Sequence, residues 1–239
     1  MEKQRLDKII ASTGKFSRRE VKLLVRQGRV LVDGLPARSG EDKVDPQSVE
    51  ITVNGETLCY RKFTWVMLNK PAGYLSATED GRGPTVLDLL PPELKKQGLF
   101  PVGRLDKDTE GLLLLTNEGG LAHDLLSPRH HVDKVYYTRV AGRLTEEDCR
   151  AFAAGMTLDD GLVCQPAGLK ILKAGEESEA HVTLREGKFH QVKRMLAFRG
   201  KPVLYLERIQ MGNLTLDPAL ARGEFRLLTE NEEATLRKI

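Results

Sequence analysis

Eleven residues, Pro101-Val102-Gly103-Arg104-Leu105-Asp106-Lys107-Asp108-Thr109-Glu110-Gly111, separate two short apolar segments, Leu99-Phe100 and Leu112 to Leu115. Both flanks read as short buried strands, with turn signals at Gly103 and Gly111. A loop clamped between two core strands follows from this pattern. It presents Asp106 at a fixed place, as a catalytic group must be presented. Asp is also a good turn former, and on spacing alone that plainer reading is favoured. Asp106, Asp108 and Glu110 before Gly111 also imitate the start of a calcium loop. Such a loop needs a bidentate Glu at its twelfth position and a helix on each side. The twelfth position here is Asn117, and Leu112 to Leu115 reads as a strand, so calcium is rejected.

The chain has 239 residues, enough for one large domain or a small domain plus a medium one. Its 40% apolar and 30% charged content is that of an ordinary soluble protein. The apolar runs are too short to span a membrane, and Met1-Glu2-Lys3-Gln4-Arg5 lacks a signal-peptide core. A cytoplasmic protein without membrane contact is expected. Cys59, Cys149 and Cys164 are widely separated, and no pair has metal-ligand spacing. His130 and His131 are adjacent and lack the helical spacing that converges on one metal. No metal is expected. The net charge of +3 hides an asymmetry: residues 1–40 carry ten basic and four acidic side chains. Positive charge gathered at one end is a footprint for a polyanion, although solvated basic faces are common.

Leu6, Ile9 and Ile10 share one helical face, and Gly14 stops that helix. Ser17-Arg18-Arg19-Glu20 is a capping box that opens a second helix, with Val21, Leu24 and Val25 as its apolar face and Gly28 at its close. Arg18, Lys22 and Arg26 recur every four residues and line its other side. Val30-Leu31-Val32 reads as a strand, Asp33-Gly34 as a hairpin turn, and Val49 to Val53 as a further strand ending at Asn54-Gly55. Taken in order, Arg5-Leu6-Asp7-Lys8, Gly14, Ser17 to Glu20, Gly28-Arg29-Val30 and Val32-Asp33-Gly34 resemble the S4 RNA-binding domain. The resemblance implies an αα–β module that grips structured RNA through Lys and Arg, mainly at phosphates. It carries Lys15, Arg18, Arg19, Lys22 and Arg26 over as RNA contacts.

Thr57 to Lys62 is polar and mixed and reads as a joint, so the division is 1–58, a linker at 59–63, and a second domain at 64–239. Thr64 to Leu68 reads as a strand and Asn69-Lys70-Pro71-Ala72-Gly73 as a turn. Further strands are expected at 99–103, 111–116, 134–141, 167–173, 179–185 and 203–211, and helices at 119–126, 145–155, 190–199 and 229–238. Many strands with few helices between them indicate an α+β fold with a mixed, largely antiparallel sheet.

Three segments of this second domain decide the reading: Gly103 to Leu112, Ser127-Pro128-Arg129-His130-His131 through Lys134-Val135-Tyr136, and Glu186-Gly187-Lys188-Phe189-His190-Gln191-Val192-Lys193-Arg194-Met195. Asn69 to Tyr74 and Arg208 to Gly212 join them. Together they resemble the pseudouridine synthases, in the branch that modifies small-subunit ribosomal RNA. The resemblance implies isomerisation of a specific uridine of 16S ribosomal RNA, uridine 516, with no cofactor. The partner is then ribosomal RNA, free or in an assembling ribonucleoprotein particle, and the protein is expected to be a monomer. Large-subunit RNA, or a non-catalytic RNA-binding role in ribosome assembly, remain as alternatives.

Asp106 matches the family's catalytic aspartate, which either attacks ribose C1′ or assists elimination to a glycal. Lys193 matches its basic partner and is expected to pair with Asp106, although on its amphipathic helix it is equally a solvent-facing lysine. Tyr136 matches the Lys-x-Tyr tyrosine, stacking on uracil and helping to remove the C5 proton, where a half-buried strand tyrosine is the plainer reading. Tyr137 faces the other way and is structural. By analogy with related synthases, Arg104 fills the space that an everted base leaves or clamps a phosphate. Arg129, His130, Lys188 and His190 are further candidate RNA contacts.

Overall fold

The computed structural model describes residues 3–81 and 83–238. They form two compact units. The first holds the described residues of 1–64 together with Leu90–Leu99, and the second holds the described remainder.

In the first unit, helix α1 (Leu6–Ser12) packs against α2 (Arg18–Arg26) over a core of Leu6, Ile9, Ile10, Val21, Leu24 and Val25. Ser17 and Glu20 form the expected reciprocal cap. Strands β1 (Val30–Val32) and β2 (Ile51–Val53) pair antiparallel and close the module. Leu90–Leu99 packs here too, although it follows the first strand of the second unit. Its turn at Pro92–Lys95 comes so close to Gly14 that a Cβ there would meet the Glu93 carbonyl oxygen at 1.9 Å.

The second unit is an α+β fold built on one mixed, largely antiparallel sheet. Its strands are β3 (Trp65–Lys70), β4 (Glu110–Thr116), β5 (Lys134–Ala141), β6 (Gly168–Lys173), β7 (Glu177–Leu184), β8 (Val203–Met211) and β9 (Phe225–Leu227). They lie in the order β6-β7-β5-β8-β4-β3-β9. Helices α3 (Gly119–Leu126), α4 (Glu146–Ala154), α5 (Gln191–Phe198) and α6 (Glu230–Leu236) join them. All six residues of β3 are buried, and so are Leu112 to Leu115 of β4. Continuous burial without alternation marks strands covered on both faces. In β7 buried and part-exposed positions alternate, as in a strand covered on one face only.

The Asn69-Lys70 turn expected from sequence is instead the end of β3, paired with Leu112 and Gly111. The short strand β9 had no counterpart in the sequence reading. Its partner is Val66 to Leu68 of β3. Among the described residues, no helix is long and apolar enough to cross a membrane.

One pairing within the sheet is parallel, with Glu207 opposite Glu110 and Arg208 opposite Gly111. There the loop that carries Asp106 re-enters the sheet. Gly111 has φ +95°, and a Cβ on it would stand 2.3 Å from the Arg208 carbonyl oxygen. Positive φ and contact with a neighbouring backbone both call for glycine. Gly111→Ala is therefore expected to lower stability by more than about 1 kcal/mol, read by thermal unfolding. Gly119→Ala, where a Cβ meets nothing within 4 Å, is the control and is expected to leave the melting temperature nearly unchanged.

Candidate active site

Asp106 sits on the loop between the short strand Phe100–Pro101 and β4, with its side chain 26% exposed. Three groups converge on its carboxylate. Lys193 Nζ is 3.2 Å from Oδ2, His190 Nε2 is 3.5 Å from Oδ1, and the Thr109 hydroxyl donates to Oδ2 at 3.5 Å. The ion pair expected across 87 positions of sequence is present. Lys193 lies in the first turn of α5, where the helix dipole disfavours a cation. Two carboxylates offset that cost, because Lys193 Nζ also donates to Asp108 Oδ1 at 2.5 Å. This hydrogen bond is the largest cause that holds the Asp108 carboxyl below its ordinary range.

The loop is fastened from inside by a buried lysine. Lys70 is 0% exposed, and its ammonium donates to the carbonyls of Pro71 at 3.0 Å, Lys107 at 3.2 Å and Thr109 at 2.8 Å. Three N–H donors thus meet three acceptors. Two of those carbonyls bracket Asp108, and both lie close to Asp106 in sequence. Burial pulls the Lys70 pKa down from 10.5 to about 8, opposed by the nearby Asp108, Glu110 and Asp106. Ser76 adds a reciprocal clamp on Leu105, accepting from its N–H at 3.1 Å and donating to its carbonyl at 2.9 Å.

A second network ties the strand ends together. The Arg222 guanidinium pairs with Glu110 at 2.9 Å and Glu207 at 2.9 Å, and also bonds the Asn69 side chain. The Tyr205 hydroxyl joins Glu110 at 2.8 Å, and burial is the main cause that pushes its pKa up. Strands β3, β4 and β8 are thereby fixed where the loop departs.

Asp106 opens into a small cleft of about 70 Å³. Tyr136, Leu184, Leu206 and His190 line it, as do Arg104 and Lys188. Tyr136 is half-buried on β5, and its hydroxyl has no hydrogen-bond partner among the described residues. Tyr137 points the other way, bonds Glu179 at 2.9 Å and meets the rings of His181 and Tyr205 edge-on. Arg104 is exposed. Lys188 is tied down by Glu186 at 3.2 Å and by the Val163 carbonyl. Arg129 and His130 lie in the turn Pro128–His130, and neither is among the residues that line the cleft. In the first unit Lys15, Arg18, Arg19, Lys22 and Arg26 are all exposed. Lys15 lies 3.7 Å from Glu56 and Lys22 lies 3.4 Å from Glu41. No group of three or more His, Cys, Asp or Glu able to hold a metal occurs among the described residues.

The pattern described as RNA pseudouridylate synthase matches residues 64–198, and that of the S4 domain matches residues 4–49. The chain belongs to the RNA pseudouridine synthase family. It is 49% identical to an uncharacterised RNA pseudouridine synthase of Bacillus subtilis, over 95% of this chain and 96% of that one. Ribosomal small subunit pseudouridine synthase A of Escherichia coli is 38% identical over 97% of this chain and 99% of its own. A crystal structure of a pseudouridylate synthase superposes with a TM-score of 0.68 at 36% identity, covering 97% of this chain and 99% of that one.

In this pseudouridine synthase, several groups around Asp106 escaped the sequence reading. In the sequence Asp108 reads as part of a calcium-loop mimic and Lys70 as a turn residue, and no local pattern marks Ser76 or Arg222. The run Asn69-Lys70-Pro71 after an apolar strand was the available signal for Lys70, since a lysine that ends a core strand needs buried acceptors.

Lys70→Met is expected to cost roughly 1–3 kcal/mol, because it leaves buried carbonyls unpaired. It should lower kcat more than it raises KM. The folded-state pKa of Lys70 lies below its ordinary value, so the burial penalty is fully present below pH 8 and is relieved as the pH rises from about 8 to 10.5. Thermal melts across that window should show wild type gaining stability relative to Lys70→Met. A constant difference would contradict the assignment.

Proposed function

We propose that this enzyme converts a uridine of small-subunit ribosomal RNA, uridine 516, to pseudouridine with Asp106 as the catalytic carboxylate. The bond from ribose C1′ to uracil N1 breaks, and C1′ rejoins at C5. The C5 proton leaves, and N1 ends protonated. No electrons are exchanged with an acceptor and no group is imported, so the reaction calls for no cofactor.

The observation that carries this reading is the Asp106–Lys193 ion pair at 3.2 Å, whose carboxylate lines a cleft that Tyr136 also lines. A carboxylate acting at C1′ must stay ionised as RNA displaces water from the cleft. Desolvation opposes ionisation, and a lysine within hydrogen-bond reach opposes desolvation. The carboxylate then either attacks C1′ or assists elimination. Tyr136 stacks on the detached uracil, and its hydroxyl assists removal of the C5 proton. The target uridine must leave its stack, at a cost of a few kcal/mol. Arg104, exposed at the cleft, fills the vacated space or holds an adjacent phosphate. The 38% identity to a small subunit pseudouridine synthase supports the RNA class.

Residues 1–58 act on this reading as the gripping module, through Lys15, Arg18, Arg19, Lys22 and Arg26. Residues 64–239 carry the chemistry, joined through 59–63, with Arg129, Lys188 and His190 as further RNA contacts. The protein works as a monomer in the cytoplasm, on free RNA or an assembling particle.

Asp106→Asn is expected to abolish pseudouridine formation while RNA affinity stays within about threefold. Carbodiimide labelling of small-subunit RNA, read by primer extension, detects the product, and filter binding reads affinity. Wild-type product from the variant would remove the assignment. Replacing Arg18, Arg19, Lys22 and Arg26 by Gln should weaken binding to all RNA sequences alike. The slope of log affinity against log salt should fall by about one for each of these cations that neutralises a phosphate. An unchanged slope would take these side chains out of the interface.

A further inference from the structure

Beside the Asp106 loop, His190 of the cleft wall stacks on a second ring, Phe189, to which the proposed function gives no part. Phe189 is 74% exposed. Its ring lies on the His190 imidazole with centroids 3.7 Å apart and planes 20° from parallel. His190 in turn lines the cleft, with Nε2 3.5 Å from Asp106 Oδ1.

Single exposed apolar residues are ordinary on a protein surface. Two features set Phe189 apart. The ring is held flat, and the layer behind it belongs to the cleft. The backbone at His190 is left-handed, with φ 51° and ψ 31°, at the entry to α5. Such strain in a residue other than glycine is kept where surrounding structure over-determines it, and it collects at ligand sites. The 3.7 Å between the rings is near the spacing of about 3.4 Å between successive bases along a nucleic-acid strand. Asp106, His190 and Phe189 thus form a short series that runs outward from the carboxylate and ends in a bare aromatic face.

We propose that this outer face of Phe189 is a binding platform for a nucleobase of the RNA, the base next in the chain to the everted uridine. The proposal rests on the reading of Asp106 as the group that meets that uridine. When a uridine leaves its stack, its neighbour loses a stacking partner, and the Phe189 ring supplies one. Stacking on a ring tolerates any base, because each has a π-face. The platform therefore adds affinity without selecting sequence. Arg104, exposed and lining the same cleft, is a cation two residues from Asp106 that is placed to meet the intervening phosphate.

The test uses the full chain and a small-subunit RNA fragment that contains the uridine it converts. Abasic residues are placed in turn on each side of that uridine. Phe189→Ala is expected to raise both KM and the RNA dissociation constant about tenfold, with kcat within about twofold and an unchanged melting temperature. Phe189→Trp should restore binding. An abasic neighbour on one side should weaken wild type by the same factor and leave Phe189→Ala unaffected. The platform is refuted if Phe189→Ala binds as wild type does, if its deficit is as large on every abasic RNA, or if it melts early. The dissociation constants read the platform, and product formation by Asp106→Asn beside wild type reads the role of Asp106, so the two failures are distinguishable.

Discussion

A buried ammonium group governs the geometry of the loop that carries Asp106. Lys70 has no exposed surface, and its three donors are spent on three carbonyl oxygens, two of which bracket Asp108. An unpaired charge in such a place would be prohibitive, so this loop backbone must close over it in one conformation. That closure sets Asp106 and Asp108 where one ammonium, Lys193, meets both. Two lysines thus divide the work. Lys70 holds the main chain from the interior, and Lys193 holds the two carboxylates together.

The sheet supplies the frame for this arrangement. Strands β3 and β4 are covered on both faces, and β4 begins where the loop ends. The parallel pairing with β8 admits no side chain at residue 111 and brings Glu207 beside Glu110. Arg222 draws both acids and Asn69 together. The loop is flexible in composition but fixed at both ends and at its centre. Such preorganisation suits the role proposed for Asp106, a carboxylate that meets a sugar carbon without rearranging.

Much of this fold was legible in the sequence. The strands at 134–141 and 203–211 and the helix at 119–126 have the bounds read from their patterns. The cap at Ser17 is in place, because a capping box is a local device. Local pattern failed where the partner is remote. Lys70 looked like a turn residue because two of its acceptors, at 107 and 109, lie far along the chain. Strand β9 is three residues long and has little pattern of its own. Leu90–Leu99 packs with the first unit in a way that no periodicity encodes. The Asp106–Lys193 pairing came from resemblance, since spacing alone favoured a turn and a surface lysine. Asp108 escaped because acids alternating at 106, 108 and 110 imitate a calcium loop, while the lysine that pairs with it lies far along the chain.

On the proposed function, the Asp106 carboxylate meets the sugar of an everted uridine inside this cleft. The most direct measurement is a crystal structure of the Asp106→Asn protein bound to a small-subunit RNA fragment that wild type converts. The target uridine is expected out of its stack, with its C1′ within about 3.5 Å of the residue 106 side chain and its base against Tyr136. A uridine still stacked in the RNA, or a ribose bound away from residue 106, would contradict it.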